Sequence, residues 1–142
     1  MKRLILLVAV VAFATQLNAQ KMTAKDVPAE VKSAFKKAYP MEKDIEWSKE
    51  GSNYEAEYDT KSGDHSATYT AAGKLVETEM DIKTSSLPKG VIDYLKLNHK
   101  DHKIKEASRV TNVDGTITYE TEVNGMELIF DSNGTYIKSV KA

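Results

Sequence analysis

Tyr54-Glu55-Ala56-Glu57-Tyr58-Asp59-Thr60-Lys61-Ser62-Gly63-Asp64-His65-Ser66-Ala67-Thr68-Tyr69-Thr70 is the stretch that decides the fold. Tyr54, Ala56 and Tyr58 alternate with Glu55, Glu57 and Asp59; beyond Lys61-Ser62-Gly63, His65, Ala67 and Tyr69 alternate with Ser66, Thr68 and Thr70. A period of two sends successive side chains to opposite faces of a strand, and the polar, glycine-bearing break is a turn. The stretch therefore predicts a hairpin with one aromatic-rich face and one face of carboxylates and hydroxyls.

Outward from this hairpin the same grammar continues. Asp44 to Ser48 supplies a leading strand with Ile45 and Trp47 on one face, and Ala72-Gly73 turns into a further strand from Leu75 to Met80. Upstream the period becomes 3.6: Val27, Val31, Ala34, Phe35 and Ala38 form one apolar stripe, with Lys32, Lys36 and Lys37 off it. Pro28 suits the start of that helix, Asp26 is positioned to cap it, and Pro40 stops it.

The plan recurs about 60 residues later, with Val27-Pro28-Ala29-Glu30-Val31 echoed by Leu87-Pro88-Lys89-Gly90-Val91. Leu87, Val91, Tyr94 and Leu95 repeat the stripe, Asn98 weakens its end, and Ser86 stands where a cap would. A strand from Ile104 to Thr111 and a turn at Asp114-Gly115 follow. Ile117, Tyr119, Thr121 and Val123 then alternate with Thr118, Glu120 and Glu122. Asn124-Gly125, the strongest short hairpin signal, joins Met126, Leu128 and Phe130, and Ser132-Asn133-Gly134 introduces a last strand through Tyr136 and Val140. The expected fold is α+β: two tandem helix-plus-four-strand repeats, 26–82 and 86–142, forming one antiparallel sheet or two abutting ones, with the helices on one face. One compact body is favoured, because a unit of under 60 residues is marginal alone.

Composition sets the frame. The chain has 142 residues, 20 basic against 21 acidic side chains, 41% hydrophobic residues and no cysteine. It is too apolar for a disordered chain and too near neutrality for a nucleic-acid binder. Met1-Lys2-Arg3, the apolar run Leu4 to Ala14 and the small-residue close at Leu17-Asn18-Ala19 make the three-part pattern of a secretory signal peptide over residues 1–19. The predicted cleavage follows Ala19, with Ala12-Phe13-Ala14 a second acceptable site. The run is about half the roughly 20 residues a bilayer span requires, so no stable membrane insertion is expected after cleavage. The exported part, 20–142, carries 18 basic and 21 acidic residues. Without cysteine it has neither a lipoprotein anchor nor disulfide support.

The Val/Leu-Pro-x-x-Val helices, the strand with Ile45-x-Trp47, the Tyr-x-x-x-Tyr strand and the aromatic-x-x-x-Gly turns at Tyr69 to Gly73 and Phe130 to Gly134 resemble the PepSY-like, beta-lactamase-inhibitor-like secreted proteins common in Bacteroidetes. The likeness covers essentially the whole exported chain. It implies tandem repeats with helices on one face of a curved antiparallel sheet. Relatives of that fold inhibit beta-lactamases through the open sheet face or restrain peptidases as propeptides. This chain lacks the inhibitors' cysteines, and no contact residue is carried over.

No residues call for catalysis: cysteine is absent, no Gly-x-Ser-x-Gly elbow occurs, and the three histidines lie at a hairpin start and a helix end. No cofactor is expected. His99, Asp101 and His102 form the one metal-like cluster, which a solvated helix terminus explains better. Asp131-Ser132-Asn133-Gly134 reads as a turn rather than a calcium loop, and Trp47 as a core residue rather than an interface anchor.

The informative surface is the other face of the sheet. With helices over Tyr54, Ala56, Tyr58, Tyr119, Val123, Leu128 and Phe130, the outward face carries Glu55, Glu57, Ser66, Thr68, Thr118, Glu120, Glu122 and Glu127. Such alternation is what a half-solvated antiparallel sheet needs, and it equally suits a basic or polar loop of a partner. The expected function is an exported non-catalytic binding module, periplasmic or secreted, whose partner is another envelope or secreted protein and which inhibits or modulates an envelope or secreted enzyme through the open sheet face. The alternative is a small-ligand or metal-binding envelope protein.

Overall fold

The computed structural model describes residues 20–142, so the predicted signal peptide lies outside the described residues. One antiparallel sheet holds nine strands in sequence order: β1 (Gln20–Met22), β2 (Ile45–Glu50), β3 (Asn53–Thr60), β4 (Gly63–Thr70), β5 (Leu75–Asp81), β6 (Ile104–Asn112), β7 (Ile117–Val123), β8 (Met126–Asp131) and β9 (Tyr136–Lys141). Helix α1 (Ala29–Ala38) precedes β2, and α2 (Lys89–Asn98) precedes β6. Each helix is thus followed by four strands. The sheet is continuous, since β5 pairs with β6 from Glu77↔Asn112 to Asp81↔Ser108. Strand β1 was not expected; it pairs with β2 only from Gln20↔Lys49 to Met22↔Trp47.

The two helix-plus-sheet units match in detail. In both, the register shifts between the last two strands at the same place, Thr68/Tyr69 and Ile129/Phe130. In both, the glycine of the following turn, Gly73 or Gly134, has positive φ (72° and 83°) and backs onto the first turn of the unit's own helix. The Asn124-Gly125 turn takes φ of 54° and 71°, the positive pair a two-residue hairpin loop of primed type demands.

Neither expected side-chain cap forms. Pro28 and Pro88 occupy the cap positions themselves, with extended ψ of 143° and 146°, and their carbonyls accept from the amides of Lys32 and Ile92. The extended proline carries the upstream residue away from the helix end, and Asp26 instead accepts the Thr23 hydroxyl.

Both helices pack on the same face but bury two separate cores. Val27, Val31 and Phe35 of the first unit meet Trp47, Ala56, Tyr58, Ala67 and Tyr69, with Phe35 edge-on to Trp47 (5.6 Å) and Tyr58 (5.3 Å). Trp47 is a core residue, as its alternation implies. Leu87, Val91 and Leu95 meet Ala107, Val123, Leu128 and Phe130, and Tyr94 is edge-on to Phe130 at 5.4 Å. The two clusters share no residue, and between them the helix-side face of β5 and β6 carries Thr78, Met80, Arg109 and Thr111, all only partly buried.

The sheet is curled. Laid flat, β2 and β9 would stand more than 30 Å apart at about 4.8 Å per strand. Yet Glu50 of β2 and Lys138 of β9 line one hollow on the helix-free face. The matching bulges in the two halves are of the kind that raises local twist. The curl stops short of closure, because β1 and β9 do not pair.

Candidate functional site

The helix-free face is an acidic trough. Strand register interleaves hydroxyls and carboxylates along its rows: Ser48–Glu55–Thr68–Glu77 in one, Glu46–Glu57–Ser66–Glu79 in the next. A third runs Asp81–Ser108–Glu120, and a fourth Glu106–Glu122–Glu127. Four direct cross-strand pairs join like charges, Glu46↔Glu57, Asp59↔Asp64, Glu106↔Glu122 and Glu122↔Glu127, a juxtaposition that destabilises a sheet. Lys21 offsets part of it by pairing with Glu46 at 2.8 Å, and Lys105 by pairing with Glu122 at 3.0 Å.

Curvature changes the standing of several expected contact residues. Ser66 and Thr68 lie on this face, as predicted, but are only 8% and 5% exposed and form its floor. Each is flanked in register by two glutamates, Glu57 and Glu79 or Glu55 and Glu77, and on an inward-curving sheet such stems converge over the small side chain between them. Glu55, Glu120, Glu122 and Glu127 line the main hollow, of about 700 Å³. Glu57 and Ser66 line an adjoining hollow of about 680 Å³, which shares Glu55, Glu79, Asp81 and Glu106 with the first. Thr118 sits further along the same face, opposite Val110 and Asp131, and lines neither.

The trough also contains Glu50, Glu77, Glu79, Asp81 and Glu106, which the sequence reading did not single out. The signal was present in β5, where Glu77, Glu79 and Asp81 alternate with Val76, Thr78 and Met80.

Crowding in a partly desolvated site disfavours the charged form of each acid. Burial, reinforced by the charges of Glu55, Glu77 and Glu79, pushes Glu50 up to about 7. Burial also pushes Glu79 up to about 7, against a hydrogen bond from Ser108 that favours its ionised form. Glu120 is raised furthest, first by burial and then by its interaction with Glu127, so it keeps its proton at neutral pH. Burial raises Glu57, Glu77 and Asp81 as well. At neutral pH the trough is therefore a store of both negative charge and exchangeable protons. Its chemistry is the attraction of cations.

The metal-like cluster does not assemble. Helix α2 ends at Asn98, His99 and His102 bring their ring centroids to 6.3 Å, and among the described residues no group of three histidine, cysteine or acidic side chains is placed to hold an ion. Ser62 Oγ and His65 Nε2 are 3.0 Å apart, a nucleophile–base pairing the sequence reading missed. Thr60 Oγ1 contacts the same hydroxyl at 2.7 Å and accepts the Ser62 amide, so the group closes the β3–β4 turn. Asp131 Oδ1 accepts the amides of Asn133 and Thr135, which makes that segment the turn expected of it.

The family whose sequence profile matches is described as "putative beta-lactamase-inhibitor-like, PepSY-like", over residues 14–77 and again over 60–138. The chain belongs to this PepSY-like family. Solved structures show the same fold. A "putative periplasmic" protein of Bacteroides eggerthii matches at a TM-score of 0.71 with 20% identity, over 81% of this chain and 88% of that one. A DUF2874-family protein of Bacteroides uniformis matches at 0.69 with 20% identity, over 80% and 88%. A BLIP-like protein of Bacteroides fragilis matches at 0.58 with 17% identity, over 81% and 86%. No curated protein sequence matches the chain. Among the described residues no helix of this PepSY-like protein is long and apolar enough to cross a membrane.

Proposed function

We propose that this PepSY-like protein is an exported, non-catalytic binding module whose acidic trough receives a cationic segment of another envelope or secreted protein, inhibiting or modulating it by occlusion. The observation that carries this reading is the trough itself: carboxylates are crowded there in like-charge cross-strand pairs and held partly desolvated, at a cost to the fold that a cationic partner would offset. The family description and the fold shared with a BLIP-like protein support a protein-binding role. Residues 1–19 act as the signal peptide, with cleavage after Ala19, and residues 20–142 form one domain of two repeats, 26–82 and 86–142. The periplasmic description of a structural neighbour supports a periplasmic or secreted location.

The test is capture of partners from an envelope extract by wild type and by a Glu55→Lys, Glu57→Lys, Glu120→Lys, Glu122→Lys variant checked for folding by its melting curve. Loss of a partner from the variant is expected. Identical partner profiles would overturn the role of this surface.

The alternative, a metal or small ligand at His99, Asp101 and His102, is favoured only by the nearness of the two imidazoles. Calorimetry with zinc and copper decides it, since heats no larger in wild type than in a His99→Ala, His102→Ala variant remove it.

A further inference from the structure

A third hollow, of about 410 Å³, lies on the opposite side of the sheet, in the gap the two helices leave over β5 and β6. Its floor is one register row, His65–Met80–Arg109 across β4, β5 and β6. Tyr39 and Tyr58 wall it on the side of the first core, their rings 4.8 Å apart, and His65 stacks on Tyr58 at 5.8 Å. Glu42 lines it as well.

Arg109 is the unusual member. Every other basic residue after Ala19 is a lysine. Among the described residues none of the ion pairs involves Arg109, and its recorded side-chain hydrogen bond is to the Thr111 hydroxyl at 3.1 Å. A guanidinium presents five donors in a planar fork that matches a carboxylate in two-point contact, so most of its capacity is unspent. The aromatic rings and the Met80 thioether beside it offer an apolar surface. Glu79 of β5 also borders the hollow, but strand alternation sends its carboxylate to the other side of the sheet, where it lines the trough. Glu42 repels additional negative charge in the hollow and so disfavours a dianion relative to a monoanion.

We propose that this hollow is a second binding site, for a small organic carboxylate whose charged end pairs with Arg109 and whose flat apolar body lies against Met80, His65 and Tyr58. It is independent of the acidic trough, whose charge would repel the same ligand. The site is incomplete in either repeat alone, since the first supplies the rings and the second supplies the cation.

Benzoate is the probe, followed by NMR at the Arg109 Nε–H signal, assigned by its loss in Arg109→Gln, and at the His65 ring. Saturable shifts at both are expected. Acetate, lacking the ring, and inorganic phosphate bind more weakly, and benzamidinium, lacking the negative charge, produces no saturable shift. Arg109→Gln weakens benzoate binding by about tenfold or more, the range for a charge-assisted hydrogen bond. Arg109→Lys keeps the charge without the fork and weakens it several-fold, whereas Glu42→Gln strengthens it. Both Arg109 variants are checked for an unchanged melting curve, and if Arg109→Gln fails to fold then Arg109→Lys alone decides. Shifts that do not saturate, equal affinity in folded wild type and Arg109 variants, or tighter binding of phosphate than of benzoate would each overturn the proposal.

Discussion

Gly134 and Gly90 are in backbone contact: a methyl group placed on Gly134 would meet the Val91 amide nitrogen at 2.6 Å, and one on Gly90 the Asn133 carbonyl oxygen at 2.8 Å. The same seat exists in the other unit, where a Cβ on Gly73 would meet the Glu30 carbonyl oxygen at 2.6 Å. These contacts fix each helix to the turn between the last two strands of its unit. Gly134→Ala combines that clash with a strained positive φ and is expected to cost about 2–4 kcal/mol, with Gly73→Ala similar. Gly115→Ala, also at positive φ but in open space, is the control and costs about 1 kcal/mol. Chemical denaturation of the three variants checks the ranking.

The trough makes stability fall as pH rises. A carboxyl whose folded pKa lies above its unfolded value binds the extra proton in the folded state, so stability is lost between the unfolded value near 4.5 and the folded value of about 7. The protein should therefore melt higher at pH 5 than at pH 8. Glu79→Gln removes much of that slope and stabilises at pH 8 by about 1–3 kcal/mol, discounted for its partial exposure, with little gain at pH 5. A melting temperature independent of pH over this interval would contradict the assignment.

Thr121 is 1% exposed, and its hydroxyl finds no partner among the described residues. It lies on the helix side of β7, between Ala107 and Leu128. Thr121→Val keeps the shape and removes an unsatisfied buried group, so a gain of about 1–2 kcal/mol is expected in denaturant melts.

Two cores that share no residue should respond independently. Phe35→Leu and Phe130→Leu each leave unfilled space in a different cluster, and their costs, about 1–2 kcal/mol apiece, should add to within about 0.5 kcal/mol in the double variant. A larger departure would mean the halves are coupled through the sheet.

Hairpins and helices were legible because each is a local pattern. Period-two alternation fixed the faces of Tyr54 to Tyr58 and Tyr119 to Val123, and Asn124-Gly125 fixed a turn by its conformational demand. Strand β1 escaped because Gln20-Lys21-Met22 is too short to carry a period, and its existence depends on the free edge of β2 from Trp47 to Lys49. The burial of Ser66 and Thr68 escaped for another reason. Alternation names a face, but curl accumulates over nine strands and is set by bulges that no single strand records. Arg109 and His65 lie 44 positions apart in sequence and meet only through the pairing of β4, β5 and β6.

The separation of the two cores has a mechanical meaning. Each wall of the trough is backed by its own rigid block, and on the helix side the blocks are joined across β5 and β6 without a common apolar cluster. The strand pair works as a leaf spring between two plates. Charge crowding among Glu50, Glu55, Glu79 and Glu127 loads that spring outward, and a cation bridging the walls would relieve the load.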